Sequence, residues 1–109
     1  SAVAAATVAM AWSQFRTGYV MVEPCCTGVL AGLVAITAAC ATVTEAESVA
    51  IGVIGVVIAM LASEWEVYME IDDPCTAFPI HGAAGAWGVI AVGLFSAPEP
   101  CHGSADGVK

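Results

Sequence analysis

Basic side chains are almost missing from this 109-residue chain: Lys and Arg together number 2 against 10 Asp and Glu, giving a net charge of −8. Nucleic-acid surfaces neutralise phosphates with clustered Lys and Arg. Arg16 and Lys109 cannot supply such a cluster, so nucleic acid is excluded as a partner. Charge of either sign is scarce, at 11% of residues, where soluble domains carry about 25%. Hydrophobic residues reach 60% and the mean hydropathy is +0.89. A soluble domain of this length has too little interior to hide that much apolar surface and would expose large greasy patches. The surroundings this composition suits are a lipid bilayer.

Other absences narrow the chemistry. The five cysteines, Cys25, Cys26, Cys40, Cys75 and Cys101, are odd in number and contain no CxxC pair, which speaks against a zinc site. Cys101 and His102 beside Cys40 on one membrane side could form a metal site or a disulfide, but cysteines acting as small apolar residues in helices are the simpler reading. Only one histidine, His81, lies in an apolar window, whereas haem normally takes axial ligands from two facing helices. There is no G-x-G-x-x-G opening a helix after a strand and no Ser-His-Asp set. The expectation is a protein that is not an enzyme and carries no cofactor and no metal. Nor do residues 1–15 form a signal peptide, since they lack a basic start and further apolar windows follow.

What the chain does contain is alternation. Its charges sit at 16–23, 45–47, 64–73 and 99–109, leaving uncharged windows at 1–15, 24–44, 48–63 and 74–98. The ~30 Å hydrocarbon core takes roughly 20 helical residues. The second and fourth windows meet this length. The third does so once extended to Met69, which puts Glu64 and Glu66 in the headgroup zone beside Trp65 and Tyr68 as interfacial aromatics. The pattern predicts an all-α membrane protein with helices at about 1–14, 25–43, 48–69 and 74–96, followed by an extramembrane loop over 97–109. Because the first window opens without Met or a polar flank, the chain is expected to be a fragment whose first helix is partial. Arg16 places the loop after the first helix in the cytoplasm by the positive-inside rule. Alternation then puts the Glu70–Pro74 loop on the same side, with Glu45 and Pro98 facing outward.

Small residues recur at helical spacing, which suits bilayer helices that associate by close backbone approach. Gly28 and Gly32 form one pair, and Gly52, Gly55 and Ala59 a second stripe. Ala77, Gly85 and Gly88 fall on the face of His81 by the four- and seven-residue spacings of an α-helix. His81 is the one titratable side chain in the last window, and an ionisable group at membrane depth is a functional candidate by default. Asp73 is a good N-cap for its helix, Pro74 suits the first helical position, and Asp72 adds charge at the positive end of the dipole. Pro79, two residues before His81, is expected to remove a backbone hydrogen bond and bend the helix.

Cys-Thr-Gly-Val-Leu-Ala-Gly-Leu-Val-Ala-Ile-Thr-Ala-Ala-Cys at 26–40, Ile-Asp-Asp-Pro at 71–74, Phe-Pro-Ile-His-Gly-Ala-Ala-Gly-Ala-Trp-Gly at 78–88 and Val-Gly-Leu-Phe at 92–95 together resemble the ammonium transporter family (Amt/Mep/Rh), its Amt branch in particular. The likeness runs through nearly the whole chain in order and spacing. It implies a C-terminal-half fragment, from the end of helix 7 through helix 10, of an eleven-helix fold built on an inverted repeat. It further implies a homotrimeric, multi-pass cell-membrane transporter of ammonium or ammonia with one pore per subunit. His81 matches the second of the family's paired pore histidines, and the helical spacing of Ala77 and Gly85 then puts them beside it as candidate pore residues; the first histidine belongs to helices absent here. Three departures stand out: Ala38 replaces a frequent proline, Pro79 stands where glycine or another residue is usual, and Glu64, Glu66 and Glu70 occupy a region often basic. Two other classes fit the residues more loosely: an ammonium-sensing membrane protein, and a purely structural helical membrane bundle in which His81 bonds a neighbouring carbonyl.

Overall fold

A computed structural model describes residues 1–95; the expected loop at 97–109, with Cys101 and His102, lies outside the described residues. The architecture is all helical: α1 (Ala2–Thr17), α2 (Val22–Thr37), α3 (Glu45–Tyr68), a π-helical turn (Phe78–Ala83) and α4 (Ala84–Phe95), the last two continuous. Each boundary has a local cause. Gly18 closes α1 in the left-handed region, φ 82°, its N–H donating to Gln14 O at 3.0 Å, a conformation that other residues adopt only with strain. The Ser13 hydroxyl then ties down the short connection, donating to Tyr19 O at 3.1 Å and accepting from Met21 N at 2.9 Å. Thr44 and Glu47 form a reciprocal capping box at the start of α3, with Thr44 N–H donating to Glu47 Oε2 at 2.7 Å and Glu47 N–H to Thr44 Oγ1 at 3.4 Å, which satisfies donors that helix starts otherwise leave free.

Helix lengths differ from the sequence expectation. The second helix ends at Thr37 rather than at 43, so it is 16 residues long, whereas α3 spans 24. After Thr37 the chain makes tighter bonds, Ala39 N–H to Ile36 O and Thr42 N–H to Ala39 O, and the Thr42 hydroxyl donates to Ala39 O. Hydroxyl side chains that bond nearby backbone compete with helix continuation, and charge placement carries no trace of that. The α3 and Phe78–Phe95 segments are the two long and apolar enough to cross a bilayer among the described residues, with Val22–Thr37 a shorter apolar helix.

The helices meet through alanine and glycine. The buried clusters consist of Ala5 and Ala9 with Val56 and Met60, of Ala35, Ala39 and Ala91 with Ile51, and of Ala31, Ala59 and Ala84. Gly28 receives the Ala9 methyl of α1, and a methyl built on Gly88 would stand 2.6 Å from Ala35 O of α2. Large apolar side chains such as Phe15, Val22, Leu33, Leu61 and Val89 point outward instead. This small-inside, large-outside distribution is what helices packed in lipid require. Arg16 Nη2 pairs with Glu64 Oε1 at 2.8 Å, bringing the C-terminal ends of α1 and α3 together, and Trp87 Nε1 donates to Ile51 O at 3.0 Å to join α4 to α3.

Candidate functional site

The segment leading to His81 is arranged by Asp73. It does not cap a helix beginning at Pro74, as its place in the sequence suggests, because Pro74 and Cys75 form a turn and helical structure begins only at Ala77, continuing into the π turn from Phe78. The backbone reverses there: Thr76 N–H donates to Asp73 O at 3.1 Å and Thr76 takes φ +49°, an uncommon conformation for a β-branched residue. The Asp73 carboxylate reaches across the turn and accepts from Phe78 N–H at 2.9 Å. The N–H groups of Phe78 first and Ala77 second hold that carboxyl below its ordinary pKa. Glu66, 5% exposed near the end of α3, sits against the same turn. Asp73 therefore still serves the helix start, from five residues upstream.

Pro79 takes a different part from the bend expected of it. With helical structure starting at Ala77, Pro79 falls in the first turn, where N–H groups lack an intrahelical acceptor anyway, so no bond is lost. The turn that follows is wide: Ala84 N–H donates to Pro79 O, a five-residue step. Such π turns are rare and are found frequently at functional sites. His81 sits in its middle, exposed, its side chain without a hydrogen bond among the described residues.

Of the residues read as pore-lining, Ala77 and His81 are exposed and Gly85 is half-buried, 3.6 Å from Val34 at its would-be methyl. Gly88, assigned to the same face by spacing, is buried against Ala35 of α2. The α-helical spacing rule does not carry across a π turn, so the four residues do not form one continuous bare stripe. Beside the turn, a cavity of about 180 Å³ is lined by Glu23, Pro24, Thr27, Met60, Ser63 and Thr76, where the Thr27 and Thr76 hydroxyls stand 3.4 Å apart. Sequence reasoning gave no separate role to Thr27, Thr76 or Phe78, because a threonine or phenylalanine in an apolar run looks like any other. Cys25, Cys26, Cys40 and Cys75 are free thiols.

Comparison with known proteins places this geometry in context. The family model described as Ammonium Transporter Family matches residues 1–108. The chain is 45% identical over 96 residues to Ammonium transporter Amt2 of Archaeoglobus fulgidus, covering 88% of this chain and 20% of that protein. It is 33% identical over 95 residues to Ammonium transporter 1 member 3 of Oryza sativa, covering 87% of this chain and 19% of that protein. The crystal structure of the Mep2 mutant delta442 from Candida albicans is similar with a TM-score of 0.81 at 33% identity, over 88% of this chain and 24% of that one. The chain thus spans about a fifth of the length of the curated relatives it matches.

Proposed function

The chain belongs to the ammonium transporter family, and from that premise we propose that its helices form part of the wall of a pore that carries ammonium or ammonia across the cell membrane. The observation that carries this reading is the setting of His81, an imidazole presented outward from a π turn by a helix whose other polar group, the Trp87 indole, is already bonded internally. An ionised solute left without water or partners in hydrocarbon faces a penalty of many kcal/mol, whereas neutral ammonia passes a narrow apolar path. A neutral imidazole can accept and donate hydrogen bonds along that path and relay the proton that ammonium leaves behind.

In this reading Ala77 and Gly85 flank the imidazole without crowding it. A second histidine, from the half of the inverted repeat that this chain does not include, completes the pair. The unit is a subunit of a homotrimer, each subunit with its own pore, and the end carrying Arg16, Glu64 and Asp73 faces the cytoplasm. The test is His81→Ala in the complete protein, reconstituted in liposomes. Coupled ammonium uptake is expected to vanish or to become an unselective leak. Uptake and selectivity equal to the unaltered protein would remove His81 from the pore and leave only the family likeness.

A further inference from the structure

His81 has no side-chain partner among the described residues, so its direction is set by the backbone that carries it, and that backbone is held from both sides. On one side Pro79 and Ile80 are buried, Ile80 at 3% exposure. On the other, the Phe78 ring folds back over Gly82: a methyl built on Gly82 would lie 2.8 Å from ring Cδ2, 3.2 Å from Cε2 and 3.5 Å from Cγ. The ring occupies the space that any side chain at 82 would need. It also meets the Trp65 ring at the end of α3, with centroids 6.3 Å apart and planes inclined at 41°, inside the separation at which aromatic pairs attract. The Phe78 N–H is bonded to Asp73 Oδ2 at 2.9 Å. Phe78 is thus fixed by its amide, by Trp65 and by Gly82, although the ring itself is half exposed.

Resting on the pore reading above, we propose that Phe78 is a positioning residue for His81: clamped between Trp65 and Gly82, it holds the π turn in the register that points the imidazole away from α2 and α3. A π turn carries one residue more than the α turn it replaces. Relaxing it to α geometry would rotate the segment before Ala84 by roughly 100°, the angle that one residue subtends in an α-helix. That rotation would carry the imidazole out of the pore wall while leaving α4 packed as it is. Nothing in the chemistry of His81 resists the rotation; the Phe78 ring on one side and the buried Pro79 and Ile80 on the other do.

The test uses the complete protein in liposomes, reading three quantities: the maximal rate of ammonium uptake, its pH profile, and the ratio of methylammonium to ammonium transport. Phe78→Ala removes the ring, and Gly82→Ala expels it while leaving every other side chain in place. Both variants are expected to lower uptake by about tenfold or more, the scale on which small misplacement of a reacting group acts. Both should also move the pH profile and the methylammonium ratio, which a loss of stability alone would not do. Phe78→Tyr retains the ring and should restore all three. If Phe78→Ala fails to assemble in the membrane, Gly82→Ala and Phe78→Leu report on the same clamp. An unaltered rate, pH profile and ratio in any assembled variant lacking the clamp overturns the proposal. His81→Ala separates this failure from that of the pore reading: an inactive His81→Ala beside unaltered Phe78 variants refutes only the positioning role, while an active, selective His81→Ala refutes both.

Discussion

Gly88 offers the sharpest quantitative test of how α4 is seated. A methyl group at this position would stand 2.6 Å from Ala35 O and 3.2 Å from both Ala35 C and Cα, all backbone atoms of α2. Ordinary van der Waals contact begins near 3.4 Å, so Gly88→Ala forces the two helices apart by several tenths of an ångström at the least. A backbone carbonyl cannot swing aside as a flexible side chain would, and the neighbouring cluster of Ala35, Ala39, Ile51 and Ala91, with Trp87 packed on it, must open with the displacement. Overpacking of this kind destabilises by about 1–3 kcal/mol. The matched control is Gly93→Ala in the same helix, where a methyl group meets nothing within 4 Å and alanine gains roughly 0.5–1 kcal/mol over glycine in a helix interior. Unfolding of the detergent-solubilised complete protein by a graded denaturing detergent reads both. The two variants should move in opposite directions. Equal stabilities would show that α2 and α4 do not touch at Gly88, and the close-packed arrangement described above would be wrong there.

Two further outcomes follow from polar groups. Trp87→Phe leaves Ile51 O without its 3.0 Å donor and trims the indole that packs on the Ala35, Ala39, Ile51 and Ala91 cluster; the same unfolding assay should register a loss of at least about 0.6 kcal/mol, the average for an interhelical hydrogen bond in membranes, and no loss would show that neither the bond nor the packing holds α4 to α3. Asp73 has its pKa depressed in the fold by the Phe78 and Ala77 N–H groups, so its contribution is present at neutral pH and disappears as pH falls through the lowered value. Heat stability recorded on acidification from pH ~7 to ~3, a range that spans the ordinary carboxylate pKa of about 4, should therefore decline more steeply for the unaltered protein than for Asp73→Asn, and parallel declines would dismiss the cap.

Much of the architecture is legible without coordinates, and the reasons are particular. Charges cannot sit at mid-membrane unaccompanied, so gaps between them mark helices, and Arg16 and Glu64 do meet at one end. Small residues at four-residue intervals mark contacts, as Gly28 against Ala9 and Gly55 against Ala35 bear out. The ends of helices were less readable. The third helix starts at Glu45 rather than at 48 because Thr44 and Glu47 form a capping box, which brings into the helix two acids that a boundary drawn from charge-free windows leaves out. The end of α2 moved to Thr37 because turn bonds through Ala39 and Thr42 outcompete helix.

The sequence singles out His81 as a candidate but does not give its geometry. A lone histidine in an apolar run stands out from charge considerations alone, and no coordinates are needed to single out His81. Its direction depends on where the helix begins, and here Asp73 and Pro74 misled, since a strong N-cap followed by proline ordinarily opens a helix at that point. The Thr76 reversal instead spends four residues on a turn, and the helix starts late enough for Pro79 to fall in its first turn. A kink and a first-turn proline call for the same residue and differ only in register. That register decides whether the residues from 77 to 88 form one bare stripe or, as found, a helix that offers His81 outward and buries Gly88 against α2. Local propensity sees Pro79 in isolation, whereas its register follows from an aspartate six residues upstream that reaches across the turn to the Phe78 amide.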